Sequence, residues 1–129
     1  VDELTSHPKS AFSMGEHTLF MLSRLNDRIT FLGEHATRFD ARSSSHYVSS
    51  IERAQVRFDL SSKHALLMGK MHTPVNYWND VYHHGRLFFP SIDRPLMFSH
   101  LIPIHTLGVR FQGQNLGKKD FGYDLMAGN

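Results

Sequence analysis

A two-residue hydrophobic period constrains this chain more than any other feature. Across 52–60, Ala54, Val56, Phe58 and Leu60 alternate with Arg53, Gln55, Arg57 and Asp59. Successive strand side chains point to opposite faces, so this is one apolar and one strongly polar face on a single strand. The pattern returns at 106–114, where Leu107, Val109, Phe111 and Gly113 alternate with Thr106, Gly108, Arg110, Gln112 and Gln114. It returns again at 121–128, with Phe121, Tyr123, Leu125 and Ala127 against Gly122, Asp124, Met126 and Gly128. Helical spacing fits poorly. The expected class is all-β, an antiparallel hairpin meander.

Turn chemistry falls between the runs. Asn26-Asp27 separates the runs 15–25 and 28–39. Both residue types tolerate the left-handed backbone that tight turns need. Ser61-Ser62-Lys63 separates the strand ending at Leu60 from one over about 65–72, and 115–119 separates the last two. Six strands in three hairpins follow, with two longer connections at 40–49 and 73–103. The second is dense in Pro, His and aromatic residues. Connections of that length in a small domain are usually functional. Pro74, Pro90, Pro95 and Pro103 cannot donate to a ladder, so side chains rather than a sheet are expected to order it.

At 129 residues the chain reads as a single β domain. It has no cysteine, which removes disulfides, thiolate nucleophiles and Cys-type zinc sites. Residues 1–13 have no basic start followed by an apolar core and do not read as a signal peptide. The longest stretch free of Asp, Glu, Lys and Arg, 95–109, is too short to span a bilayer as a helix, which needs about 20 apolar residues. Fourteen basic against twelve acidic residues give a net charge of +2. Basic residues are scattered, so no nucleic-acid partner is expected. Ser, His and Asp are present without a nucleophile motif, and no enzyme and no catalytic residue are expected.

Two kinds of β protein alternate in this way. A soluble sheet hides its apolar face in a core. A membrane barrel turns that face to lipid and the polar one to a water-filled lumen. Arg53, Gln55, Arg57, Arg110 and Gln112 suit a pore lining or ligand-binding surface, and they also suit an ordinary solvated face. Phe39, Phe58, Phe111, Phe121 and Tyr123 fall near strand ends, where interfacial girdles sit.

Several blocks sharpen the choice: Glu52-Arg53-Ala54-Gln55-Val56-Arg57-Phe58-Asp59, Met68-Gly69-Lys70-Met71-His72-Thr73-Pro74, Tyr77-Trp78-Asn79 and Tyr82-His83-His84-Gly85. With them go Ile92-Asp93-Arg94-Pro95, Ile104-His105 and the earlier Leu25-Asn26-Asp27-Arg28-Ile29-Thr30-Phe31-Leu32-Gly33-Glu34. Together they resemble porin-like outer-membrane β-barrel proteins of Gram-negative bacteria, over about 18–113. Met71 stands where an aromatic is usual in that pattern, and Val75-Asn76 where a Gly is usual. The resemblance implies an outer-membrane location, passive passage of small hydrated solutes or a structural role, and a lipid bilayer as partner. Membrane barrels begin at eight strands. Six strands imply a segment of a larger barrel, or closure with other copies or with the barrel's remainder.

The alternative is a soluble antiparallel β domain, periplasmic or elsewhere, binding a small ligand or metal through its His-rich loop. His72, His83, His84 and His105 could converge on Zn or another divalent ion, with Asp80 and Asp93 as added ligands. Equally, these histidines could serve only to shape the loop, and no cofactor is otherwise implied. Tyr77, Trp78, His83 and His84 are the loop residues singled out, as aromatic and polar groups able to narrow a lumen or plug it.

Overall fold

The computed structural model describes residues 15–40, 44–75, 79 and 96–129, apart from the side chain of Ser99. Six strands form one antiparallel sheet in chain order: β1 (Glu16–Arg24), β2 (Ile29–Phe39), β3 (Tyr47–Asp59), β4 (His64–His72), β5 (His105–Leu116) and β6 (Phe121–Gly128). The all-β meander is as expected. It is a continuous sheet rather than three separate hairpins, because β2 also pairs with β3 and β4 with β5. Among the described residues the sheet is not closed, and β1 and β6 are its edges.

β3 starts earlier than its clear alternation. The 40–49 connection contracts to 40–46, fastened by the Asp40 amide on the His46 carbonyl at 3.0 Å. Tyr47, Val48 and Ser49 join the ladder opposite Phe39, Arg38 and Thr37. The 73–103 connection also holds a short helical turn, Met97–His100, which its prolines did not suggest.

The two rims of the sheet differ. The reversals at 25–28, 60–63 and 117–120 share one rim, and the 40–46 and 73–104 connections share the other. Each short reversal has its own local chemistry. Asn26 Oδ1 accepts the Arg28 amide at 2.8 Å, and Ser61 Oγ accepts the amides of Lys63 and His64. The third carries three residues, Gly117–Lys119, in 3-10 geometry, followed by Asp120 in the left-handed region.

Register defines the faces. Arg57 lies opposite Thr30 on one side and Leu67 on the other, Leu67 opposite Arg110, and Arg110 opposite Met126. This polar face also carries Ala65 and Met71, which form a small buried cluster with Leu67, against which Met126 packs. The opposite face carries Leu19, Phe31, Val56, Met68, Val109 and Leu125.

A glycine row crosses the polar face, where Gly69, Gly108 and Gly128 are successive cross-strand partners. A Cβ on Gly108 would lie 2.2 Å from the Ala127 carbonyl oxygen, so only glycine permits this approach. Gly69 has φ +124°, and a Cβ there would lie 2.2 Å from the Ala54 carbonyl oxygen. Interior strand glycines of this kind mark bends and close backbone approach.

Candidate functional site

The five residues expected to line a pore or bind a ligand stand on one face. Arg57 and Arg110 share a cross-strand row with Arg24, Thr30, Leu67 and Met126. The next row holds Asp59, Ala65, Gln112 and Asp124. Hydrogen bonds link the two rows. Arg57 donates from Nε to Asp59 Oδ1 at 2.7 Å and from Nη1 to Gln112 Oε1 at 2.8 Å. Arg110 Nε donates to Asp124 Oδ1 at 2.6 Å. Gln55 lies two residues from both Arg53 and Arg57 on the same face, opposite Leu32 and Gly69.

Arg53 is placed by a bulge. Glu34 pairs with Arg53 but His35 with Ile51, which leaves Glu52 as an extra residue in β3. Such insertions re-aim neighbouring side chains. Arg53 Nε donates to the buried carboxylate of Glu34, and the Phe20 ring lies 5.7 Å from its guanidinium carbon. Phe20, Glu34 and Arg53 are one cross-strand row. At the rim of longer connections Glu16 stands opposite Arg38. Each of Arg53, Arg57 and Arg110 therefore carries a carboxylate partner, and the face is close to charge-balanced.

The histidines divide. His72 and His105 are direct cross-strand partners with ring centroids 5.1 Å apart. His105 Nε2 lies 3.1 Å from Glu52 Oε2. Among the described residues no three His, Asp or Glu side chains are grouped to hold a metal ion. Tyr77, Trp78, His83 and His84, with Asp80 and Asp93, lie outside the described residues.

The base of the 73–104 connection is fastened over the polar face. Thr73 Oγ1 donates to the Pro103 carbonyl at 2.6 Å and meets Thr106 Oγ1 at 2.8 Å. Asn79 Nδ2 donates to the carbonyls of both Thr73 and Ile104, at 2.9 and 3.0 Å. One amide thus ties the two ends of the connection. Asn79, Met71, Thr106 and Phe98 are all buried. Asn79→Ala leaves these carbonyls without that donor, and a loss of about 1–3 kcal/mol is expected in denaturant titration. Asn79 stands in the Tyr77-Trp78-Asn79 block, but a lone Asn carries no sequence signal that it ties two ends of a connection together. Glu34 and Asp124 were likewise missed as partners, although Asp124 sits at an alternating position that opposes Gln112.

Aromatics gather at both rims of the apolar face. Phe39 stacks on His46 at 6.0 Å and meets Tyr47 edge-on at 6.1 Å. At the other rim His64, Phe111 and Tyr123 cluster with centroids 5.7–6.2 Å apart.

The arrangement is an open antiparallel sheet with a charge-paired polar face and an apolar face bounded by aromatics. No protein-family model, no curated protein and no solved structure matches the chain.

Proposed function

We propose that this chain builds part of the wall of a porin-like outer-membrane β-barrel, with the polar face toward a water-filled lumen that passes small hydrated solutes. The observation that carries the reading is an inversion of exposure. On the apolar face Ile51 is 57% exposed, Leu107 60% and Leu125 63%. On the polar face Glu34 is 1% exposed and Arg110 6%. A water-soluble sheet with one solvated face shelters its apolar side. This sheet buries Glu34 and Arg110 on its polar side and leaves Ile51, Leu107 and Leu125 open, as a wall between lipid and lumen does.

Two features support the same reading. Barrels of this class have short turns at one rim and long loops at the other, as this sheet has. Aromatic clusters bound its apolar face at both rims, at the level where interfacial girdles lie. Lys70 shares the register of the apolar face, and its Nζ donates to the Ile51 carbonyl at 2.5 Å.

The test is behaviour without detergent, followed by conductance. The chain should require detergent or lipid to stay monodisperse, and its insertion into planar bilayers should give stepwise conductance. A monodisperse species in plain buffer, with Val56 and Phe58 protected in a core, sinks the reading. Val109→Arg probes the apolar face directly. Arginine facing lipid near mid-depth costs about 2–4 kcal/mol, so unfolding from lipid vesicles should move by up to that amount. On a solvated surface the change would stay within about 0.5 kcal/mol.

A further inference from the structure

We propose that this wall favours neutral and zwitterionic polar solutes over anions, despite its arginines; the proposal rests on the pore reading and names its solute class. An unpaired arginine row would raise the local potential and draw anions. Here Arg57 lies 2.7 Å from Asp59 and Arg110 lies 2.6 Å from Asp124, while Arg53 is held on Glu34. Each cation is half of a short dipole, and the field of a dipole fades faster with distance than that of a lone charge. Exposed charges are in any case screened beyond about 8 Å at physiological salt. A solute a few ångströms from the wall therefore meets little net potential.

It meets instead an ordered set of donors and acceptors. Arg57 offers N–H groups, and the adjoining row offers the carboxylates of Asp59 and Asp124 and the amide of Gln112. A polyhydroxylated solute can donate to one row and accept from the other. A zwitterion can align its two charges across them. An anion gains from the first row and is repelled by the second.

Arg57 and Asp59 give the cleanest test, because both side chains are more than one-third exposed, at 36% and 37%, and neither belongs to the buried cluster. Planar-bilayer reversal potentials in a KCl gradient, with liposome swelling in an uncharged sugar, read selectivity and passage separately. The unsubstituted chain should reverse near zero and admit the sugar. Asp59→Asn should move reversal toward the chloride potential, and Arg57→Gln toward the potassium potential. Asp124→Asn is the second variant, removing a carboxylate from the same row and expected to shift reversal in the same direction as Asp59→Asn, with circular dichroism confirming retained strand content. Reversal near the chloride potential in the unsubstituted chain, unmoved by Asp59→Asn, overturns the proposal while leaving the pore. Inserted protein that passes neither current nor sugar overturns the pore reading, and this proposal with it.

Discussion

Replacing Arg53 by Met is expected to cost about 3–5 kcal/mol, the usual penalty for breaking a buried ion pair from one side. The Glu34 side chain is fully buried and that of Arg53 is 20% exposed, and the guanidinium is the charge facing the carboxylate across the β2–β3 ladder. The substitution also strips the cation from the Phe20 ring. The double change Glu34→Leu with Arg53→Met should recover most of the loss, since an apolar pair of similar volume needs no desolvation. Urea unfolding from detergent or vesicles, run as a double-mutant cycle, measures both. A single-variant loss below about 1 kcal/mol would mean that the pair behaves as a solvated surface bridge.

Gly69→Ala should be comparably severe, by a different route. Holding an L residue at φ +124° costs about 1–3 kcal/mol. The new methyl also meets the Ala54 carbonyl oxygen at 2.2 Å, so the β3–β4 ladder must part locally, and such overpacking costs about 1–3 kcal/mol more. A total of about 2–6 kcal/mol is expected. Gly117→Ala is the internal control. It too has positive φ, 67°, but open space around the added carbon, so about 1–2 kcal/mol is expected. Comparable melting shifts for the two variants would refute the close-approach argument for Gly69.

What the sequence made legible was the alternation. The assignment of Arg53, Gln55, Arg57, Arg110 and Gln112 to one face needed only the two-residue period, and register bears it out. Which charge meets which was not legible. Glu34 finds Arg53 only because β3 absorbs Glu52 as a bulge, and a one-residue insertion leaves no compositional mark. Strand β1 was recognisable as an apolar run but not by face, since Leu19-Phe20-Met21-Leu22 does not alternate. Residues 47–49 fall in the connection expected at 40–49, because no alternation marks them; pairing with β2 places them in β3. In sequence His72 and His105 are neighbours of one long connection. They meet instead as strand partners at its two ends, a proximity set by the β4–β5 register.

Among the described residues the strand count is even, and that commits this sheet to an asymmetry of growth. Because β1 begins and β6 ends at the rim that bears the 40–46 and 73–104 connections, every place where sequence can be lengthened without disturbing a tight reversal lies on one side of the sheet. The opposite rim is built of Asx, serine and 3-10 turns whose hydrogen bonds fix their length. Insertions, deletions and new recognition sequences can therefore accumulate at the first rim while the second stays constant. One rim of this sheet is free to diversify, and the other serves as its hem.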